Sequence, residues 1–178
     1  LVIIAAVAFI YMRSNDAPDT MVRTDTLRIH QGAISGGVDL DNPDILQFNG
    51  IPYAKATRWT APERAPQWGA EVRDAREFGP ECVQPRSGMT EFVNDVMKGQ
   101  GLSWPKRKMA GFYLSSQPTP KEREDCLFLN VRTSTLNQVS RRPVMVWIHG
   151  GSHQSGSGSS VFYQANGLPE KGVVLVTI

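Results

Sequence analysis

Hydrophobic and polar positions divide the chain into stretches of different period. From Thr26 the pattern alternates, with Leu27, Ile29 and Ala33 set apart from Arg28, His30 and Gln31, which predicts a strand. Gly36-Gly37 and Asp41-Asn42-Pro43 read as turns, Ile45-Leu-Gln-Phe48 as the returning strand, and Asn49-Gly50 followed by Pro52 as its break. Early antiparallel strands are therefore expected. Val144-Met-Val-Trp-Ile148 and Val173-Val-Leu-Val-Thr-Ile178 are different: continuous apolar, β-branched runs bounded by Pro143 and Gly172. Runs of that kind fit strands buried on both faces of a helix-covered sheet. With Leu127-Phe-Leu-Asn-Val131 ahead of them, they predict entry into a mixed sheet.

Between these regions the pattern is weaker. Residues 58–86 hold Pro62, Pro66, Pro80 and Pro85 with Trp59 and Trp68 and little periodicity, so irregular structure pinned by large side chains is expected. Met89 to Met97 predicts a short helix, with Thr90 near its start and Gly99 beyond its end. Gly101 to Pro120 reads as loop. Nothing marks a second domain, and no internal repeat is visible.

The chain opens on Leu1-Val-Ile-Ile-Ala-Ala-Val-Ala-Phe-Ile-Tyr-Met12, an apolar run shorter than the roughly 20 residues that cross a bilayer. Polar residues 13–24, with Asn15, Asp16, Pro18 and Asp19, follow as a linker. Arg13-Ser-Asn-Asp16 stands where a small-x-small cleavage pattern would be, which favours an anchor over a cleaved signal peptide. The first residue is not methionine, and the last apolar run has no turn residue after it. The expectation is a piece of a longer protein. Residues 1–12 form a truncated signal or anchor segment, 13–24 a linker, and 25–178 the N-terminal portion of one domain. That domain is expected outside the cytoplasm (secreted, periplasmic or membrane-anchored), with membrane association through residues 1–12.

Composition narrows the function classes. A content of 40% hydrophobic and 20% charged residues excludes a disordered or fibrous chain, and 178 residues suit one compact domain. A net charge of +2 argues against a nucleic-acid partner; Lys106-Arg-Lys108 and Arg141-Arg142 read as solvated loop charges. Cys82 and Cys126 are the only cysteines. In an exported chain an even count points to a bridge, and closing a loop of that size contributes about 4 kcal/mol in the chain-entropy treatment. Two free thiols in a reducing compartment are the alternative.

Candidate chemistry concentrates at Trp147-Ile-His-Gly-Gly-Ser152, at the end of the first buried strand. Two glycines after a strand let the backbone turn with its amides facing one space. Amides so placed can hold the oxyanion of a tetrahedral intermediate, as in the H-G-G loops of lipases and esterases. An isolated Gly-Gly pair would be no more than a turn. His149 and His153 have the i, i+4 spacing of zinc ligands, but Gly150 and Gly151 break any helix between them and no Glu intervenes. No metal is expected, and His149 is read as orienting the glycine loop. Ser155-Gly-Ser-Gly-Ser-Ser160 has a linker's composition. It lacks the Gly-Lys-Ser/Thr of a phosphate cradle, and between two hydrophobic elements it is read as a tight active-site loop.

A longer series settles the weight of that loop. Phe48-Asn-Gly-Ile-Pro-Tyr-Ala54, Arg58-Trp59, Trp68, Asp74-Ala75, Phe78-Gly-Pro-Glu-Cys82, Glu124-Asp-Cys-Leu-Phe-Leu-Asn-Val131 and Pro143-Val-Met-Val-Trp-Ile-His-Gly-Gly151 occur in this order. From about Leu27 to the end, the chain resembles the start of the type-B carboxylesterase and cholinesterase family. The resemblance implies the N-terminal part of an α/β-hydrolase fold, small antiparallel strands leading into a mixed, mostly parallel central sheet. It implies an oxyanion hole from the amides of Gly151 and Ser152, with Gly150 supporting the turn. The family often has a third glycine at the position of Ser152, whose amide donates equally well. It further implies a Cys82–Cys126 disulfide, a structural ion pair between Arg58 and Glu124, and no cofactor. The stretch from Val83 to Asp125 is longer than in the better-known members.

No G-x-S-x-G nucleophile elbow occurs anywhere in the chain; the family places nucleophile, acid and base beyond Ile178. The expected function of the full-length protein is hydrolysis of a small-molecule carboxylic ester through a serine acyl-enzyme, with these 178 residues inactive alone. The alternative is a non-catalytic adhesion or scaffold member of the same fold, similar to the neuroligins, which keep H-G-G-S without a working nucleophile. Gly150 to Ser152 do not separate the two.

Overall fold

The computed structural model describes residues 21–39, 42–85, 89–115, 121–137 and 139–178. The apolar leader 1–12, most of the linker, Asp41 and the end of the expected loop at 116–120 lie outside these. Among the described residues twelve short strands run β1 Leu27–Ile29, β2 Gly32–Ser35, β3 Gly37–Val38, β4 Leu46–Pro52, β5 Ala54–Lys55, β6 Glu63–Arg64, β7 Val72–Asp74, β8 Glu81–Cys82, β9 Glu122–Arg123, β10 Phe128–Thr133, β11 Val144–Trp147 and β12 Val174–Thr177. The helices α1 Met89–Gly99 and α2 Trp104–Ser115 stand between β8 and β9.

The alternating segment from Thr26 is two strands rather than one. β1 and β2 pair antiparallel with Leu27 opposite Ile34 and Ile29 opposite Gly32, so the chain reverses at His30–Gln31 without a Pro, Asn or Asp to announce it. Gly36-Gly37 is correspondingly no turn: Gly37 enters β3 and pairs with Gln47 of β4. The turn expected at Asn42-Pro43 is present, closed by the Ile45 N–H donating to the Asn42 carbonyl at 2.9 Å. The last linker residues already join the fold, with Thr24 donating to Gly36 O and Val38 to Val22 O.

Five strands form the main sheet in the order β11-β12-β10-β4-β3. β11 and β12 are parallel, Val144 opposite Val174 through Trp147 opposite Thr177; the other pairs are antiparallel. The sheet is mixed, and it starts antiparallel. Asn49-Gly50 does not end β4. The register against β10 shifts between Leu129 and Val131, leaving Asn49 and Gly50 opposite Asn130 in a β-bulge. Gly50 takes φ +62° there, and its N–H donates to Asn130 Oδ1 at 3.0 Å. A side chain at Gly50 would overlap the backbone of residues 77–79, which fixes glycine at this position.

A second sheet, β1-β2-β7, packs against the first. Ile34, Phe48, Ile51 and Ala75 are buried between them, with Leu46, Trp68, Leu129 and Val131 around their edge. Trp68 pins this region as expected, its indole N–H donating to the Ala33 carbonyl at 2.9 Å. Trp59 does not: it is 95% exposed with φ +69°, placed outward by the turn that presents Arg58.

The opposite face of the main sheet buries polar side chains beside Leu175. Residues directly paired across strands share a face, so Arg132 sits beside Gln47 and Asn130 beside Thr177. Arg132 donates to Asp39 Oδ2 at 3.1 Å, Gln47 Oε1 at 3.0 Å, Asn166 Oδ1 at 2.7 Å and Gln164 Oε1 at 3.2 Å. Burial pushes this guanidinium below its ordinary value, against the pull of the Asp39 carboxylate. The segment 156–171, with short 3₁₀ turns at Val161–Tyr163 and Pro169–Lys171, supplies Gln164 and Asn166 to this network.

Two further expectations change. Residues 101–120 were expected to form a loop, yet α2 occupies Trp104–Ser115. Pro105 lies in its first turn, where its missing N–H costs nothing. α1 extends through Gly99, and Gly101, at φ +74°, caps it: Gly101 N–H donates to Lys98 O and Leu102 N–H to Met97 O, both at 3.0 Å, a Schellman closure. β11, expected to be buried on both faces, is exposed from Val144 to Trp147 in this chain and is the marginal strand of the sheet. Among the described residues no helix is long and apolar enough to cross a membrane.

Candidate active site

The parallel pair β11/β12 delivers the glycine loop to the rim of the sheet. Ile178 N–H donates to Trp147 O at 3.0 Å and His149 N–H to Ile178 O at 3.4 Å, so regular pairing ends at His149. Beyond it the chain turns sharply: Gly151, Ser152 and His153 all have positive φ, at +123°, +56° and +59°. The turn closes as Gln154 and Ser155 N–H both donate to Gly151 O, at 3.0 and 3.2 Å. A Cβ on Gly151 would fall inside the Ser155 carbonyl, so this residue has to be glycine for space as well as for φ.

The amides of Gly151 and Ser152 are not spent on the turn. Among the described residues neither donates a hydrogen bond, and both residues are exposed. Gly150 is exposed too, and its carbonyl accepts from His149 Nδ1 at 2.7 Å, which requires the tautomer with the proton on Nδ1. The two ends of a peptide plane point opposite ways, so holding the Gly150 carbonyl fixes the direction of the Gly151 N–H. His149 therefore meets the glycine loop through this one hydrogen bond. His153 is exposed at the turn.

A cavity of about 170 Å³ lies behind the loop, walled by Tyr53, Glu81, Asn130, His149, Gly156 to Ser159 and Ile178. Gly150, Gly151 and Ser152 stand outside it. The Gly-Ser segment 155–160 is folded tightly here rather than left as a tether. Gly158 is buried, and its carbonyl accepts from Thr177 Oγ1 at 2.7 Å. Asn130 Nδ2 donates to the same hydroxyl at 3.1 Å, and Ser159 Oγ donates to Glu81 Oε1 at 3.1 Å. Asn130 therefore ties the bulge of β4 to β12 and to the loop, which explains one polar side chain inside an apolar strand motif.

The implied structural pairs are both present. Cys82 and Cys126 form a disulfide with their Cα atoms 4.9 Å apart, which joins β8 to the start of β10. Arg58 and Glu124 make a two-pronged ion pair, Nε to Oε2 at 3.1 Å and Nη2 to Oε1. Both side chains are more than half exposed, so this pair contributes under about 1 kcal/mol. Sequence reading missed Gln84, whose side chain engages Gly156 from across the disulfide loop. It also missed Asn130 and Thr177; the signal available was that each is a polar residue within an apolar run, Leu127 to Val131 and Val173 to Ile178.

Comparison with known proteins agrees with this architecture. Over 177 residues the chain is 29% identical to the fumonisin B1 esterase of Sphingopyxis macrogoltabida, covering 97% of this chain and 28% of that protein. It is 34% identical over 136 residues to the para-nitrobenzyl esterase of Bacillus subtilis, covering 74% of this chain and 23% of that protein. A solved PNB esterase superimposes with a TM-score of 0.62 at 30% identity, over 85% of this chain and 26% of its own. A Geobacillus stearothermophilus carboxylesterase gives 0.62 at 29%, over 87% and 26%. The chain thus spans about a quarter of the length of the relatives it matches, and those structures have the α/β-hydrolase fold. The model of the carboxylesterase family matches residues 23–178, and the chain belongs to that family.

Proposed function

We propose that the whole protein hydrolyses carboxylic esters through a serine acyl-enzyme, and that these residues supply its oxyanion hole. The observation that carries this reading is the pair of exposed amides, Gly151 and Ser152, that donate to no described residue, on a turn held through the Gly151 and Gly150 carbonyls. An ester carbonyl placed before them gains negative charge when a nucleophile attacks, and preorganised N–H donors hold that charge more strongly than the neutral carbonyl. Each such donor contributes about 3–4 kcal/mol to the barrier. Gly150 supports the turn through its carbonyl. The serine, acid and base are supplied from outside this sequence, which contains no nucleophile elbow. The substrate is a small-molecule ester, and the relatives reported above are esterases, which favours the enzyme over a neuroligin-like scaffold. A domain exported from the cytoplasm, and anchored through residues 1–12, fits the disulfide.

Turnover of p-nitrophenyl acetate tests the reading. The whole protein is expected to show saturable hydrolysis that a serine-directed fluorophosphonate abolishes, while residues 1–178 alone show none. Saturable turnover by 1–178 would contradict the placement of the nucleophile; an inert whole protein would contradict the enzyme.

A further inference from the structure

We infer that Gln84 is a positioning residue for the oxyanion turn, coupling the disulfide-bonded loop to the amide of Gly151. The inference rests on the oxyanion reading above and extends it to a side chain outside the H-G-G-S motif.

The Gln84 amide makes three hydrogen bonds. Its Oε1 accepts from Gly156 N–H at 2.5 Å, and its Nε2 donates to Gly156 O at 3.0 Å. The same Nε2 donates to Cys82 O at 3.1 Å, and Cys82 is bonded to Cys126. One side chain therefore grips both backbone groups of a single glycine, as a neighbouring strand would, 72 residues away in sequence. Gly156, at φ +120°, is gripped where it matters. Its Cα lies flush against the His149 ring and the Gly150 carbonyl, so close that a Cβ would overlap both. His149 Nδ1 and Gly150 O are the two ends of the hydrogen bond that directs the Gly151 N–H. Displacement of Gly156 would loosen that bond, and the Gly151 donor would lose its fixed direction. The chain of contacts runs Cys82, Gln84, Gly156, His149, Gly150, Gly151.

A donor that acts on developing charge affects kcat and leaves ground-state binding alone. Loss of an oxyanion donor costs about 10²–10³ in kcat, and a donor that is present but misdirected costs part of that. In the whole protein, Gln84→Leu is therefore expected to lower kcat for p-nitrophenyl acetate by roughly 10- to 100-fold with KM changed less than about twofold. Gln84→Glu keeps an acceptor for Gly156 N–H and loses the donor to Gly156 O, so its kcat should fall between. Melting temperature and thiol titration establish that each variant is folded with its disulfide closed. Wild-type kcat in folded Gln84→Leu, or a loss confined to KM, overturns the inference while the oxyanion reading stands. A wild-type protein that turns over no ester overturns the oxyanion reading itself, and the inference with it.

Discussion

Replacing Arg132 by methionine tests the polar face on which the site loop rests. Arg132 is 7% exposed, and its guanidinium makes four hydrogen bonds, to Asp39, Gln47, Asn166 and Gln164. Methionine fills similar volume but removes the positive charge that faces the carboxylate of Asp39, a residue 8% exposed. Gln47 Nε2, Asn166 Nδ2 and the Asn42 N–H still donate to that carboxylate, yet they are neutral dipoles. Breaking a buried pair by removing one partner costs about 3–5 kcal/mol. With a urea slope of about 2 kcal/mol per molar, the midpoint should fall by about 2 M. Asp39→Asn in the same background removes the opposing charge, so the double variant should recover part of the loss, a coupling of more than about 1 kcal/mol in the double-mutant cycle. A midpoint shift below about 0.3 M, or strictly additive single and double variants, would refute the reasoning that this charge pair supports the sheet.

Other expectations follow from single contacts. Gly151→Ala forces a side chain to φ +123° and into the Ser155 carbonyl; backbone strain of about 1–3 kcal/mol should lower the melting temperature, and kcat should fall about 100-fold in an ester assay. Cys82→Ser opens a loop with a sequence separation of 44 and should cost about 4 kcal/mol by chemical denaturation. The Asp74 carboxyl is held below its ordinary value of 3.8, first by the side-chain hydrogen bond from Arg76. Its contribution is therefore present above about pH 4 and lost as pH falls through the lower folded value. Asp74→Asn should flatten the acid limb of a stability-against-pH curve and leave its neutral region parallel to wild type.

What could be read in the sequence was whatever local spacing encodes. The H-G-G-S turn, the runs that became β11 and β12, and the cysteine and Arg58–Glu124 pairs were legible because neighbouring residues or a fixed order of motifs carry them. α2 was not, since Pro105, Gly111 and three consecutive basic residues hide any helical period. The reversal at His30–Gln31 has only Gly32 beside it as a turn residue, and that glycine sits inside the alternating pattern. The β-bulge at Asn49–Gly50 mimicked a strand end, because a residue with φ > 0 inside a strand looks like a terminator until its partner, Asn130, is known. The Arg132 network and the Gln84 grip were unreadable for a different reason. Their members come from positions 39, 47, 132, 164 and 166, and 84 and 156, and only the sheet brings them together.

The chemical shifts of two backbone amides test the central claim most directly. The whole protein, labelled with ¹⁵N-glycine and ¹⁵N-serine, would be titrated with an aryl trifluoromethyl ketone, whose adduct with a serine nucleophile carries a tetrahedral oxyanion. The Gly151 and Ser152 N–H resonances should move strongly downfield on adduct formation, more than those of Gly156 and Gly158. An adduct that forms, as seen by mass and by loss of turnover, while both resonances stay in place would contradict the account.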